Sequence, residues 1–258
     1  MRFDLAEAQG MLSDCGICWS LSYIAEAGST NAELARAARS GAAEGTVIVC
    51  GHQTAGRGRQ GRMWEDRGHQ DLIFSLLLRP RCSPSDYGLL PLLASVALVE
   101  AVQALTGVMP SVKWPNDVMV QGAKLAGILL EADTTDGWAV IGMGVNLLGP
   151  ADSLPISLRG SAMTVEAATG QVVTREQMVV ALLDAVAMHY VQAQRSGYTE
   201  VLNSYRRADV TVGRRLRLLR GDETLEGIAE QIDERGRLVI VGEMGRIATD
   251  AGEVHLLK

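Results

Sequence analysis

Gly51-His52-Gln53-Thr54-Ala55-Gly56-Arg57-Gly58-Arg59-Gln60-Gly61-Arg62-Met63-Trp64 sets three arginines and no acid among Gly56, Gly58 and Gly61. The stretch follows the β-branched run Thr46-Val47-Ile48-Val49 and precedes a second strand-like run from Asp71 to Leu78. Glycine lets a chain approach a ligand closely, and each guanidinium offers a planar fork of donors to anionic oxygens. The expectation is a loop between two sheet strands that grips a phosphate or carboxylate, with Trp64 as a flat apolar surface at its edge.

The same glycines satisfy the G-x-G-x-x-G pattern of dinucleotide-binding folds. That fingerprint requires a helix opening at the third glycine and an acid about 20 residues further on. Arg62-Met63-Trp64-Glu65-Asp66-Arg67-Gly68 is a poor helix start and runs into the next strand. The sequence therefore speaks for an anion loop in another kind of sheet.

The chain has 258 residues, 47% hydrophobic and 21% charged, with a net charge of −6. That composition is of a soluble globular protein, long enough for one large domain or a large and a small one. An acidic balance argues against a general polyanion binder, so no nucleic-acid partner is expected and any anion site is local. No apolar run is read as long enough to span a bilayer and the N-terminus lacks a signal pattern, so no membrane partner and a cytoplasmic location are expected. Cys15 and Cys18 form one C-x-x-C, but no second ligand pair accompanies it and the histidines are scattered, so reduced thiols are expected. Only three of the 24 basic residues are lysines, Lys113, Lys124 and Lys258. The first two, eleven residues apart, mark positions where a compact ammonium is wanted.

Around Leu21 and Ile24 the pattern reads as a strand, then a helix through Glu33–Arg39 capped by Ser29 or Asn31. Strands follow near Val47–Val49 and Leu72–Leu78, then a helix over roughly Asp86–Leu105 whose apolar residues recur at helical spacing. Short runs at Ser111–Trp114, Val118–Val120, Leu125–Glu131 and Trp138–Val145, separated by turn signals, are strands of a mixed or antiparallel sheet. Residues 149–161 read as loop, and two helices follow near Thr174–Gln194 and Tyr198–Ala208. From residue 210 the pattern changes to four strand candidates, Arg214–Leu219, Glu223–Asp233, Arg237–Val241 and Arg246–Leu257. This tail is a small β-barrel that leans on the main domain.

Lys113-Trp114-Pro115-Asn116-Asp117 packs an ammonium, an indole, an amide and a carboxylate into five residues, and Asp117 is suited to a hydrated Mg²⁺ beside a triphosphate. Lys124 stands at the mouth of a strand with Gly127 three positions later, where the backbone can be approached closely. Gly142-Met143-Gly144-Val145-Asn146 ends the next strand in the same style. Each is scaffolding when taken singly. Together they favour an enclosed ligand site over a basic stripe for a protein or nucleic-acid partner, which would bind with salt-dependent affinity.

The set Gly28-Ser29-Thr30-Asn31, Gln53 to Arg59, Gly61-Arg62, Trp64, Lys113 to Asp117, Lys124-Leu125-Ala126-Gly127-Ile128 and Gly144-Val145-Asn146 resembles the bacterial biotin-protein ligases, in order and over nearly the whole chain. The resemblance implies an α+β fold: a mixed β-sheet catalytic domain flanked by helices, class II synthetase-like and of biotin/lipoate ligase type, over residues 1–209. An SH3-like barrel is implied over 210–258. It implies an enzyme that joins biotin's carboxylate to the α-phosphate of ATP with Mg²⁺, releases pyrophosphate, and passes the biotinyl group to a lysine of a biotin carboxyl carrier protein, as a monomer or homodimer.

By the same resemblance Lys124, Arg57, Arg59 and Asp117 are catalytic. Ser29, Thr30, Asn31, Gln53, Gly56, Arg57, Gly58, Arg59, Lys124 and Gly127 meet biotin, whose ureido group needs small polar partners. Arg59, Arg62, Trp64, Asn116, Lys124 and Asn146 meet ATP, and Asp117 positions the metal. Loss of one preorganised donor in such a site costs about 10²–10³ in rate. The loop is expected to order over the adenylate and shield it from water. Relatives that repress transcription carry an N-terminal DNA-binding domain, and only about twenty residues precede the sheet here. Asp71 stands where relatives often have asparagine. A lipoate-protein ligase and a non-catalytic biotin-binding module are the rival readings.

Overall fold

The computed structural model describes residues 3–221, 223–243 and 245–257. Six helices are described, α1 (Leu5–Met11), α2 (Thr30–Arg39), α3 (Leu90–Thr106), α4 (Val165–Thr169), α5 (Arg175–Ser196) and α6 (Thr199–Ala208). The first seven strands are β1 (Ser20–Ile24), β2 (Thr46–Cys50), β3 (Asp71–Leu78), β4 (Ser111–Lys113), β5 (Asp117–Val120), β6 (Ala123–Asp133) and β7 (Trp138–Asn146). They form one sheet in the order β1-β2-β3-β7-β6-β5-β4. The β1–β2 pair, joined through α2, is parallel and every other neighbour is antiparallel, so the sheet is mixed.

Alternation along the central strands decides where everything else goes, because successive side chains on a strand point to opposite faces. On β3, Leu72, Phe74, Leu76 and Leu78 enter the main core with α3 and α5, and so do Ala139, Ile141, Met143 and Val145 of β7. The opposite face is divided. Leu77, Val140 and Trp138 pack against Leu34, Ala35 and Ala38 of α2 at one end. Towards the other end the same face carries Ile73 and Ser75 on β3, Gly142, Gly144 and Asn146 on β7, and Gly127 and Leu129 on β6. Small residues there leave the sheet bare, and that bare stretch becomes the floor of a cavity.

The long apolar helix departs from expectation in two ways. Its first part, Pro84–Leu89, is 3-10 helix, and α3 proper begins at Leu90 and ends where Gly107 takes φ 75°. Pro84–Thr106 is also long and apolar enough by composition to cross a bilayer, which overturns the reading that no such run exists. Two thirds of its most apolar 18-residue stretch is buried inside the protein, as expected of a helix hydrophobic nearly all round that lies beneath a sheet. α5 starts with a reciprocal capping box between Thr174 and Gln177, a feature that stabilises such a start by about 1 kcal/mol.

The C-terminal sheet has five strands, β8 (Arg215–Arg220), β9 (Glu223–Ile232), β10 (Leu238–Gly242), β11 (Gly245–Thr249) and β12 (Glu253–Leu256), ordered β11-β10-β9-β8-β12 and antiparallel throughout. Four strands were expected. The single run Arg246–Leu257 breaks at Asp250-Ala251-Gly252, where Gly252 has φ 142°. This SH3-like unit shares the main core through Leu216, Leu218, Ile232, Leu238 and Val254. It is tied to the main sheet by Trp114, whose indole N–H donates to Gly236 O (2.9 Å) and whose backbone N–H donates to Thr211 Oγ1 (2.9 Å). Gly236 has φ 73°, and a Cβ there would lie 2.6 Å from Leu92 Cδ1, so the barrel turn sits flush on α3. The four cysteines are all free.

Candidate active site

The bare face of the sheet is the floor of a cavity of about 460 Å³, within the roughly 300–1,000 Å³ of small-molecule sites. Its floor follows strand register: Ile73 pairs with Gly144, and Gly144 with Gly127. Its polar end is the start of α2, with Ser29, Thr30 and Asn31, faced by Gln53. Its charged end holds Lys113, Asp117 and Lys124, and the arginine loop forms the roof.

The loop is a small hairpin and not the start of a helix. Gly58 N–H donates to Arg62 O (2.8 Å), Trp64 N–H donates to Gly56 O (3.0 Å), and Gln60 and Gly61 turn the chain with φ 56° and 73°. Asp66 anchors its base: the carboxylate accepts from the backbone N–H of Gln53 (2.9 Å) and of Gly68 (2.8 Å), and pairs with His52 Nδ1 (2.9 Å). That bond holds the His52 pKa above its ordinary value.

Trp64 lies across the glycine floor. A Cβ on Gly144 would overlap the indole, with Nε1 at 2.7 Å, and one on Gly127 would sit 3.1 Å from Trp64 Cζ3 and from Lys124 Nζ. Lys124 Nζ stands 5.7 Å from the Trp64 ring centroid and 2.6 Å from Asp117 Oδ1. The Trp64 indole N–H is buried with no partner among the described residues.

At the polar end Gln53 Oε1 accepts from Thr30 N (2.8 Å). Ser29 occupies the cap position of α2, as expected, but its hydroxyl makes no capping bond. Asn31 is held from several sides, its Nδ2 donating to Leu129 O (3.2 Å) and Glu131 Oε1 (3.3 Å). Asn116 Nδ2 donates to Ile128 O (2.6 Å) and Asn146 Nδ2 to Lys124 O (3.2 Å), so both amides also brace the strands they stand beside.

Besides Lys124, which pairs with Asp117, two cations of the site are compensated and two are not. Arg57 faces Glu131 at 3.9 Å, and Arg62 pairs with Glu253 of β12. Among the described residues the side chains of Arg59 and Lys113 have no ion-pair or hydrogen-bond partner. Burial lowers the pKa of Arg59, opposed by Asp117, Tyr205 and Asp250 at longer range. A guanidinium remains charged regardless. Positive charge without an acid beside it, half out of water, is an anion site.

These features match known proteins closely. The model of the biotin/lipoate A/B protein ligase family covers residues 28–146, and that of the biotin protein ligase C-terminal domain covers 211–257. A biotin--[acetyl-CoA-carboxylase] ligase of Mycobacterium tuberculosis is 34% identical over 98% of this chain and 96% of its own. The chain belongs to the biotin protein ligase family. The bifunctional ligase/repressor BirA of Bacillus spizizenii is 31% identical over 81% of this chain, which spans 65% of that protein's length. Among solved structures, the biotin protein ligase from Aquifex aeolicus in complex with biotin and ATP superposes with a TM-score of 0.80 at 27% identity, covering 93% of this chain and 99% of the other.

Of the residues singled out from sequence, this biotin protein ligase cavity gathers Ser29, Thr30, Asn31, Gln53, Arg57, Gly58, Arg59, Arg62, Trp64, Asn116, Asp117, Lys124, Gly127 and Asn146. Gly56 is not part of its wall; a Cβ there would lie 2.5 Å from Trp64 O, so Gly56 closes the neck of the hairpin. Asp71 is also outside, buried against Arg67. Among the liners to which the sequence reading gave no role are Lys113, Glu253 and His255. Lys113 was marked by the scarcity of lysine but given no role, and Glu253 and His255 come from the barrel, where no local pattern reveals which strand end will face the site.

Proposed function

We propose that this chain activates biotin with ATP as biotinyl-5'-AMP, releasing pyrophosphate, and transfers the biotinyl group to a lysine of a biotin carboxyl carrier protein. The observation that carries this reading is the uncompensated pair Arg59 and Lys113, set in one cavity with a polar pocket at the start of α2. Two anions, a carboxylate and a triphosphate, must meet for the first step, and unpaired cations are what the meeting requires.

In this reading Gln53, Ser29, Thr30 and Asn31 surround the ureido end of biotin, with Arg57 and Gly58 above it and Gly127 below its chain. A biotin carboxylate oxygen attacks the α-phosphorus, and the bond to pyrophosphate breaks with its electron pair on the leaving group. Lys124, aimed by Asp117, and Arg59 neutralise the charge gathering on the α-phosphate. Arg62 releases Glu253 to meet the departing pyrophosphate, while Trp64 and Asn146 hold the nucleoside. In the second step the neutral lysine nitrogen bonds to the acyl carbon, the acyl C–O bond breaks with its electron pair on the phosphate of AMP, and the nitrogen gives up a proton to solvent. Mg²⁺ is the ion expected with ATP, held by one or two carboxylates plus phosphate oxygens and water. Asp117 would hold it, and the ion supplies further charge neutralisation at the phosphates. Residues 1–209 form the catalytic unit and 210–258 the barrel that stores a counter-charge for the loop.

The test is mass spectrometry of products after incubation with ATP and Mg²⁺, with biotin in one sample and lipoate in another. Biotinyl-AMP and pyrophosphate with biotin alone are expected. Lipoyl-AMP would move the protein to the other branch of the family, and no adenylate in either sample would leave only a binding module.

A further inference from the structure

Beneath the polar end of the cavity, and not lining it, lies Ser75, a β3 residue wholly buried between Ile73 on the cavity floor and Leu77 under α2. Its Oγ is 2.6 Å from Asn31 Oδ1 and 2.7 Å from Thr30 Oγ1. The orientation of the Asn31 amide is fixed independently, because its nitrogen donates to Leu129 O and Glu131 Oε1. Its oxygen can only accept, so the single proton of Ser75 goes to Asn31. The remaining contact then runs the other way: the Thr30 hydroxyl donates to Ser75 Oγ at 2.7 Å, which is nearer than Gln53 Oε1 at 3.1 Å, an oxygen that already accepts from Thr30 N–H. Gly142, paired with Ser75 across the strands, has no Cβ where the Asn31 amide sits, so this arrangement is seated in the sheet itself.

The direction of these bonds reaches the cavity wall. Thr30, committed as a donor beneath, turns lone pairs towards the ligand. Gln53, whose oxygen accepts from Thr30 N, lines the same cavity and keeps its Nε2 donors without a partner among the described residues. One wall thus offers both an acceptor and donors side by side, the complement of a cyclic urea with its N–H and C=O, and not of a disulfide ring, which has no donor.

We infer that Ser75 is a positioning residue that sets the hydrogen-bond direction of Thr30 and Asn31 and thereby the selectivity of the cavity for a cyclic urea. The inference rests on the biotin reading above. Its test compares Ser75→Ala and Ser75→Cys, the second filling the space of the hydroxyl with a much weaker donor. Adenylate formation is followed with biotin and with desthiobiotin, which keeps the urea and lacks the thioether ring. We expect KM for both acids to rise about tenfold in both variants, with KM for ATP within twofold of wild type. A cysteine variant that restores KM for biotin would assign Ser75 a packing role and overturn the inference, as would loss with biotin but not desthiobiotin, or an equal rise in KM for ATP. If Ser75→Ala does not fold, the cysteine variant alone decides by the same two ratios. A wild-type chain that makes no biotinyl-AMP would overturn the function itself, whereas an active wild type with unmoved variants would overturn only the role of Ser75.

Discussion

Trp64 rests on Gly144 so closely that a single added methyl would occupy the space of its indole, with Nε1 only 2.7 Å from where that carbon would be. Gly144 is not at positive φ, so alanine there strains no backbone and acts only on its neighbour. Gly144→Ala should lift the indole off the floor, redden tryptophan emission, and raise KM for ATP about tenfold while the melting temperature stays within a few degrees. An unmoved emission spectrum with wild-type KM would show that Trp64 does not use this floor.

Lys124 and Asp117 make the other close pair of the site, at 2.6 Å. Replacing the ammonium removes a preorganised charge where negative charge gathers, which costs about 10²–10³ in rate. Lys124→Ala should therefore lower the rate of pyrophosphate release by that factor and retain the fold by circular dichroism. Lys124→Arg should fail to restore it, because a planar fork cannot stand in for a compact ammonium between Asp117 and the indole face. Wild-type pyrophosphate release from either variant would remove Lys124 from the chemistry.

The order of elements and much of the site were legible because they follow from local rules. Short apolar runs bounded by turn residues at β3 and β7, helical spacing on α3, and glycines beside polar residues at strand ends are all written within a few residues of one another. What was not legible depends on contacts between distant segments. Glu253 meets Arg62 only because the barrel folds back onto the loop, and the break at Gly252 that frees β12 to do so looks, in sequence, like the middle of one strand. Ser75 reads as an interruption in an apolar run, and its importance lies in what α2 brings to it. The α3 helix misled in another way: a segment buried by its own protein and one buried by lipid carry the same residues.

Asp71 illustrates a substitution whose meaning only the fold reveals. Its carboxylate accepts from Arg67 backbone N–H (2.8 Å) and Nε (3.2 Å) and pairs with the guanidinium, which also donates to Ser153 Oγ (2.7 Å). Both side chains are almost wholly buried. Removing one partner of such a pair leaves the other charge uncompensated and costs about 3 kcal/mol, equivalent to a drop of roughly 6–12 °C in Tm for a chain of this size. Asp71→Asn should show that drop by calorimetry, with KM for biotin unchanged because the residue is outside the cavity. Full stability in Asp71→Asn would mean that Arg67 finds another partner.

His52 gives the loop a pH dependence. Its hydrogen bond and charge interaction with Asp66 raise its pKa above 6.5 in the folded chain. A histidine whose pKa is raised on folding contributes stability in full below its unfolded value, and loses that contribution as pH rises through the higher folded value. Because Asp66 also holds Gln53 and Gly68, the anchored base of the arginine loop should loosen across this window as pH increases, not as it falls. NMR titration of the His52 ring should give a midpoint above 6.5 that returns towards 6.5 in Asp66→Asn. Amide protection factors in residues 53–64, which divide out the intrinsic base catalysis of exchange, should fall on the alkaline side of that midpoint in wild type and be insensitive to it in His52→Gln. A midpoint at or below 6.5, or the opposite pH trend in protection, would separate His52 from the anchoring of the loop.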